Sequence, residues 1–177
     1  MHAARETPPG NIFLVGMMGA GKTTVGMLLA KRLGKTFVDT DYEIQERTGV
    51  TIPVIFDIEG EAGFRRRESA VLEELARRDQ LVLATGGGIV LSEINRRVLR
   101  ERGTVIYLRA TIEDLWGRTR HDRNRPLLQT EDPRARIAEL IAARDPLYRD
   151  VADIIIDTSH QSVHALVREL ERRLAQA

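Results

Sequence analysis

A glycine-rich loop near the N-terminus carries the first pattern with a chemical meaning. Residues 16–23 read GMMGAGKT and fit G-x-x-x-x-G-K-[ST], between an apolar run at 12–15 and a helix-like segment at 24–33. Glycines allow a tight turn whose N–H groups face phosphate oxygens, and a following helix adds its positive N-terminal end. The lysine can reach the β- and γ-phosphates, and the threonine can bind Mg²⁺. We predict a nucleoside triphosphate site; the alternative is a glycine-rich turn with an incidental lysine.

Two carboxylates follow the second apolar run, at Asp39 and Asp41. Residues two apart on a strand point to the same face, so we expect both carboxylates to face one side at the carboxyl end of the sheet. One could then bind near Mg²⁺ and the other could bind a substrate hydroxyl. The alternative is a solvated turn in which Asp41 caps the next helix.

A second set of residues suits a small acid. Three glycines, 86–88, follow the apolar run 81–85 and leave room for a ligand to approach backbone N–H groups. Arg65 and Glu68 are three apart in a helical segment and share a face, so the glutamate can hold the guanidinium for a bidentate grip on a carboxylate. The alternatives are a flexible turn and a solvated basic helix face.

Two further arginines lie in and after a polar stretch at 120–132. Arg125 precedes Pro126 within this stretch, and Arg144 lies late in the next helical segment. A cation that closes on a triphosphate stabilises charge on the transferring phosphoryl group. An arginine in such a stretch is more often plain surface.

The whole chain has the composition of one globular domain. It contains 177 residues, of which 42% are hydrophobic and 30% charged, with a formal net charge of +1 and no cysteine. The near-neutral charge argues against a broad nucleic-acid or anionic-membrane surface. The absence of cysteine excludes disulfides and thiol catalysis. Residues 1–10 read as a disordered tail without the apolar core of a signal peptide, so we expect a cytoplasmic protein with no membrane partner.

The elements that must position these residues alternate along the chain. Uniformly apolar runs predict strands that are covered on both faces, at 12–15, 36–39, 81–85, 104–108 and 153–156. Amphipathic segments predict helices at 24–33, 61–78, 92–102, 112–120, 133–148 and 162–175. The last helix but one begins with Pro133 after Asp132, a candidate N-cap.

This alternation predicts an α/β fold, a doubly wound parallel sheet with ligands at the carboxyl ends of its strands. Two stretches interrupt the pattern. Residues 41–60, with a break at Pro53, could form a small substrate subdomain, and residues 120–132 could form a mobile flap. Ordinary surface loops are the alternative for both.

Taken in order, six segments resemble the shikimate kinase family. They are GMMGAGKTTVG at 16–26, FVDTD at 37–41, IFDIEGEAGFRRRE at 55–68, TGGG at 85–88, RNRPLL at 123–128 and ARDPLYR at 143–149. The resemblance covers nearly all of the chain after residue 10. It implies a P-loop, nucleoside-monophosphate-kinase-like fold with five parallel strands flanked by helices. A single kinase domain, 11–177, would then include a substrate-binding subdomain at about 41–68 and a lid at about 119–132.

The same resemblance implies the reaction and its partners. The family transfers the γ-phosphate of ATP to the 3-hydroxyl of shikimate, giving shikimate 3-phosphate and ADP, in the route to chorismate and the aromatic amino acids. Mg²⁺ is the implied cofactor, ATP and shikimate are the implied small-molecule partners, and a monomer is expected. A kinase for another polyhydroxy acid such as gluconate, and a non-catalytic ligand sensor, remain alternatives.

Residue roles follow from the matched motifs. The implied ATP-binding residues are Gly19, Ala20, Gly21, Lys22, Thr23, Thr24, Arg118, Arg125 and Pro126, with Arg118 and Pro126 near the adenine. The implied metal site uses Thr23 directly and Asp39 through water. The implied shikimate-binding residues are Asp41, Arg65, Gly86, Gly87, Gly88 and Arg144. The catalytic group would be Lys22, Asp41 and Arg125.

Two positions depart from the family pattern. Members often carry an acidic residue in the segment 52–56, where this chain has Val54, and we expect little consequence for chemistry. Many members also carry an arginine near the adenine after the last strand, where this chain reads Ser159-His160-Gln161. The resemblance therefore assigns no adenine contact to this segment.

Overall fold

Five parallel strands form one sheet within residues 10–177, the part of the chain that the computed structural model describes. The spatial order is β2-β3-β1-β4-β5. The strands are β1 Asn11–Val15, β2 Thr36–Asp39, β3 Leu81–Ala84, β4 Gly103–Arg109 and β5 Ile154–Asp157. Each matches a predicted apolar run to within one residue at either end. The uniform apolarity has the expected cause, because every residue of β1 and β3 is buried.

Seven α-helices surround the sheet in the same described range. They are α1 Lys22–Leu33, α2 Thr40–Thr48, α3 Ile52–Ala76, α4 Glu93–Arg102, α5 Ile112–Thr119, α6 Pro133–Val151 and α7 Val163–Gln176. The predicted start of α6 is confirmed, because the Asp132 side chain accepts a hydrogen bond from the Ala135 N–H.

The stretch predicted as an interruption, 41–60, is largely helical, which corrects the prediction in two places. It contains α2 and the first part of α3. Pro53 does not break a helix; it lies in the first turn of α3, where its missing N–H has no partner to lose. Gly60 has φ 72° and ψ 177°, so α3 kinks there, and the predicted helix from 61 is only its second part.

The crossovers place helices on both faces of the sheet. The chain moves from β1 to β2 in one direction and from β2 to β3, β3 to β4 and β4 to β5 in the other. With right-handed crossovers, α1 therefore lies on one face and α3, α4 and α6 on the other, while α7 packs on α1. Each layer contributes fully buried side chains to the core: Leu29, Leu72, Leu99, Ile137 and Leu170.

This topology creates a switch point between β1 and β3. These neighbouring strands send their chains in opposite directions across the sheet, so a crevice opens at their carboxyl ends. The loop 16–21 leaves β1 at this point, and the three glycines 86–88 follow β3. The fold thus brings the predicted phosphate loop beside the three glycines 86–88, which we call the glycine wall.

The tail predicted at 1–10 lies, apart from Gly10, outside the described residues. Among residues 10–177, no helix has the length and apolar content needed to cross a bilayer.

Candidate active site

The loop after β1 has the backbone of a phosphate cradle. Gly16, Gly19 and Gly21 all have positive φ, at 146°, 81° and 96°. A Cβ on Gly19 would lie 2.6 Å from the Thr119 side chain, so both conformation and space require glycine there. Helix α1 begins at Lys22, two residues before the predicted start, and no side chain caps its N-terminus. Its first N–H groups are therefore available to an anion.

Lys22 folds back onto this loop. Its Nζ donates to the Gly16 carbonyl and, at 3.1 Å, to the Met17 carbonyl. Burial lowers the pKa of Lys22 to about 8, and the nearby Arg125 adds to this effect. The ammonium thus rests on backbone dipoles at the mouth of the cradle.

Thr23 and Asp39 are joined directly. The Thr23 hydroxyl donates to Asp39 Oδ2 at 2.7 Å, while Asp39 Oδ1 caps α2 by accepting from the Asp41 and Tyr42 N–H groups. A hydroxyl and a carboxylate are hard oxygen ligands of the kind that Mg²⁺ prefers, so this pair fits the implied ion.

Asp41 reaches the same cleft by a different route from the one predicted. It lies in the first turn of α2, because the strand ends at Asp39, so the argument from alternation along a strand is wrong. Its carboxylate still lines the cavity beside Gly86. Burial, and secondly the negative charge of Asp39, raise the pKa of Asp41. Its Oδ1 is buried and has no hydrogen-bond partner in the described part of the chain.

Arg65 is held as its spacing from Glu68 predicts. Its Nη1 donates to Glu68 Oε1 at 3.0 Å, and its Nη2 donates to Glu61 Oε1 at 3.2 Å. Glu68 is fully buried, which raises its pKa, although the Arg65 charge acts in the opposite direction. A Cβ on Gly88 would lie within 2.5 Å of the Arg65 guanidinium. Glycine at this position therefore leaves the space that the arginine occupies.

Arg144 approaches the wall from the other side. It lies on α6 and is only 2% exposed, and its Nη1 is 3.4 Å from the position of a Cβ on Gly87. Two guanidinium groups, from α3 and α6, therefore flank one glycine segment. A carboxylate placed there could accept from both.

The segment predicted as a flap contains a short 3₁₀ turn, Pro126–Leu128, with Leu128 buried. Arg125 precedes this turn and donates from Nε to Asp122 Oδ2 at 3.0 Å. Arg118, on α5, donates from Nη1 to the Gly19 carbonyl at 3.0 Å.

The loop that follows β5 carries the second departure from the family pattern. Ser159 donates from its hydroxyl to Asp114, and Gln161 donates from its side chain to the Asp157 carbonyl. His160 adopts a positive φ of 63°. Polar side chains therefore occupy the loop in which the resemblance implies an arginine.

One cavity of about 680 Å³ joins most of these groups. The predicted site residues that line it are Thr23, Asp39, Asp41, Arg65, Gly86, Gly87, Gly88, Arg125, Pro126 and Arg144. Others border the cradle without lining the cavity: Gly19, Ala20, Gly21, Lys22, Thr24 and Arg118. The volume of this cavity falls within the range that is typical of small-molecule sites.

The prediction missed the apolar side of this cavity. Met18, Val38, Phe56 and Phe64 line it, and the two phenylalanine rings pack with centroids 5.0 Å apart. Such a surface suits the carbon ring of a ligand whose polar groups point elsewhere. Their only sequence signal is their place beside charged motif residues, which core phenylalanines share.

Comparisons with known proteins identify the family of this chain. The shikimate kinase family model matches residues 18–175. Shikimate kinase from Nitrosospira multiformis is 64% identical over 172 residues, which is 97% of this chain and 88% of that protein. The solved structure of shikimate kinase from Acinetobacter baumannii in complex with shikimate has a TM-score of 0.94 at 49% identity, covering 96% of this chain and 95% of that one.

A gluconokinase structure from Sinorhizobium meliloti is also similar, with a TM-score of 0.61 at 20% identity over 97% of this chain and 94% of that one. At that identity the likeness concerns the fold alone. The match of the family model, together with the identity to the Nitrosospira protein, shows that this chain belongs to the shikimate kinase family.

Proposed function

We propose that this protein transfers the γ-phosphate of ATP to the 3-hydroxyl of shikimate, giving shikimate 3-phosphate and ADP. One observation carries the choice of acceptor. Among residues 10–177, the buried side-chain polar atoms without a hydrogen-bond partner are Asp41 Oδ1, Arg65 Nε, Glu68 Oε2 and Arg144 Nη1. All four residues line the same cavity.

The donor or acceptor character of those atoms indicates which groups a ligand needs in order to bind there. Two are guanidinium nitrogens, which donate, and two are carboxylate oxygens, which accept. A ligand that satisfies them carries an anionic acceptor and hydroxyl donors close together. Shikimate has one carboxylate and several hydroxyls, and its carbon ring suits the wall that includes Phe56 and Phe64.

The nucleotide has a separate set of partners in this proposal. The N–H groups of the loop, from Gly19 to Gly21, and of Thr24 bind the phosphates, and Lys22 moves from the loop carbonyls to the β- and γ-phosphates. Arg118 and Pro126 border the adenine. Thr23 and Asp39 would hold Mg²⁺, which would neutralise charge on the phosphates when ATP is bound.

The transfer step needs little covalent help from the protein. The shikimate oxygen forms its bond to the γ-phosphorus as the bond from that phosphorus to the ADP oxygen breaks, and the hydroxyl proton passes to Asp41. The raised pKa of Asp41 suits a group that first orients a hydroxyl and then accepts its proton. Lys22 and Arg125 stabilise the charge of the phosphoryl group during transfer.

The proposal includes the setting of the reaction. The enzyme acts as a monomer in the cytoplasm, in the route to chorismate and the aromatic amino acids, without nucleic-acid or membrane partners. Its near-neutral net charge of +1 agrees with small-molecule substrates rather than polyanions.

A coupled assay of ADP release with ATP, Mg²⁺ and a panel of acids tests this assignment. We expect turnover with shikimate and at most a trace with gluconate, because a flexible open-chain acid loses more conformational freedom than a ring when it binds the two guanidinium groups and Asp41 together. Turnover with gluconate but not with shikimate would identify the rival kinase. Binding of both ATP and shikimate without any turnover would identify a ligand sensor.

A further inference from the structure

Tyr148 is a buried side chain of the ARDPLYR motif to which the proposed reaction gives no role. It is completely buried, and its hydroxyl donates to the carbonyl of Gly87, in the middle of the glycine wall. The guanidinium of Arg144, one helical turn earlier on α6, lies beside the same hydroxyl oxygen. One phenol therefore contacts both the wall and one of the arginines that flank it.

The Tyr148 ring is fixed independently of any ligand. It packs against the ring of Tyr107 with centroids 4.9 Å apart, and the Tyr107 hydroxyl donates to Asp145 Oδ1 at 2.7 Å. Burial raises the pKa of Tyr148 to about 12, so its hydroxyl remains a donor at any physiological pH. A donor that is this rigid restricts the carbonyl and the cation that touch it.

Gly87 makes the contact relevant to the nucleotide as well. A Cβ on this residue would lie 3.3 Å from the backbone nitrogen of Met18, in the phosphate loop, and 3.4 Å from Arg144 Nη1. The Gly87 backbone is thus packed between the loop that receives ATP and the arginine whose free nitrogen faces the cavity. A shift of the wall would move it against one or the other.

We propose that Tyr148 is the positioning residue of the acid pocket: its hydroxyl fixes the Gly87 carbonyl and the Arg144 guanidinium in the one arrangement that receives the shikimate carboxylate. It acts through Arg144 and the wall and does not touch the substrate. This inference rests on the proposed function, in which Arg144 binds that carboxylate.

The test compares Tyr148→Phe with Tyr107→Phe. Both variants lose one phenolic hydroxyl from the same pair of rings, but only the first loses the contact with Gly87 and Arg144. For Tyr148→Phe we expect the Kd of shikimate, measured by calorimetry, to rise about tenfold, with the Kd of ATP changed by less than about twofold. Tyr107→Phe should keep both constants. Equal loss of shikimate and ATP affinity in Tyr148→Phe, in step with a lower Tm, would reduce Tyr148 to a packing residue and overturn the proposal.

A double-mutant cycle with Arg144→Ala separates this inference from the function on which it rests. If Tyr148 acts through Arg144, then adding Tyr148→Phe to Arg144→Ala weakens shikimate binding by less than about twofold further. Full additivity would overturn the positioning role while leaving the function intact. Unchanged shikimate binding in Arg144→Ala itself would instead show that the acid pocket has been assigned wrongly.

A label on the intact enzyme covers the case in which Tyr148→Phe fails to fold. The chain has three tyrosines, so protein made with 3-fluorotyrosine gives three ¹⁹F resonances, and Tyr42→Phe and Tyr107→Phe assign them by loss. We expect the Tyr148 resonance to shift on titration with shikimate, because the negative charge of the bound carboxylate changes the electric field around Arg144 and the ring beside it. A Tyr148 resonance that stays unchanged at saturating shikimate would overturn the proposal.

Discussion

The two halves of the cleft differ in where their polar groups find partners. In the nucleotide half, which comprises residues 16–24, Asp39, Arg118 and Arg125, four side chains donate hydrogen bonds to the protein itself. Lys22 donates to loop carbonyls, Thr23 to Asp39, Arg118 to Gly19 and Arg125 to Asp122. In the acid half, which comprises Asp41, Arg65, Glu68, residues 86–88 and Arg144, each charged side chain keeps one buried polar atom that has no partner among residues 10–177.

The difference shows how each half meets its ligand. A buried polar group without a partner costs about 1–3 kcal/mol, so the acid half is complementary to a ligand before the ligand arrives. The nucleotide half must exchange internal hydrogen bonds for bonds to phosphate. We therefore expect changes in the acid half to alter affinity strongly, and changes in the nucleotide half that remove internal partners to have smaller effects.

The largest effect is expected at Asp41, where the halves meet. Asp41→Asn keeps the size of the side chain but removes the acceptor of the hydroxyl proton, so we expect kcat to fall by about 10²–10⁴-fold. The Kd of ATP should stay nearly constant. Coupled ADP release and calorimetry measure the two quantities, and Asp57→Asn, on α3, is a matched control outside the cavity. Turnover that survives Asp41→Asn would remove this carboxylate from the mechanism.

The next effect tests whether the acid half binds its ligand through charge. Arg65→Ala removes one of two guanidinium groups and leaves Glu68 buried without its cation. Losing such a partner costs about 2–5 kcal/mol, so we expect the Kd of shikimate to rise by about 30-fold or more. Arg66→Ala is the control, because this neighbour is exposed. Weakened ATP binding with unchanged shikimate binding would show that Arg65 belongs to the nucleotide site and that the two halves of the cleft are assigned wrongly.

The acid half was also the harder one to predict from sequence. The phosphate loop needs only local geometry, a glycine turn between a strand and a helix, so residues 16–23 identify it by themselves. The acid half is assembled from α2, α3, α6 and the end of β3. Short segments show which chemistry each side chain can do, and only the ordered series of motifs indicates that those side chains meet.

The errors have local causes. The sequence Asp39-Thr40-Asp41 was expected to continue the strand, but Asp39 caps α2 by accepting two backbone N–H bonds, and a helix begins at once. Pro53 was predicted to break a helix, but it lies in the first turn of α3, where its missing N–H has no helical partner. The apolar wall was missed because Phe56 and Phe64 give the same pattern as any buried helix face.

A third test concerns the stability of the acid half without ligand. Burial raises the pKa of Glu68 above its usual value of 4.5. As the pH rises past 4.5 the unfolded chain releases this proton before the folded chain does, so the folded state loses stability toward neutral pH. A difference of one between the two pKa values corresponds to about 1.4 kcal/mol.

Glu68→Gln removes that titration. The free energy of unfolding of Glu68→Gln minus that of the wild type should therefore increase between pH 4.5 and pH 7, as measured by urea denaturation at several pH values. The change with pH carries the prediction, because any loss of packing or of uncharged hydrogen bonds in Glu68→Gln shifts all values together. Glu73→Gln, on the exposed side of α3, is the control. If this difference in the free energy of unfolding stays constant from pH 4.5 to pH 7, then folding does not raise the pKa of Glu68.

The smallest effect is expected in the nucleotide half, at Asp122. This carboxylate accepts a hydrogen bond from Nε of Arg125. Both side chains are about one third exposed, at 34% and 36%, and such pairs contribute about 0.2–1 kcal/mol. For Asp122→Asn we expect kcat to fall by no more than about fivefold, because Arg125 is aimed less well, with no change in the Kd of shikimate.

Glu131→Gln, in the same segment, should leave kcat unchanged and serves as the control. A loss at Asp122 as large as that at Arg65 would break the contrast between the halves, because the nucleotide half would then depend on one fixed internal contact. A faster enzyme would contradict the expected fall in kcat and would show that Asp122 restrains Arg125 in a position from which ATP must release it. Both outcomes are read from the ratio of kcat values in one ADP-release assay at saturating substrates.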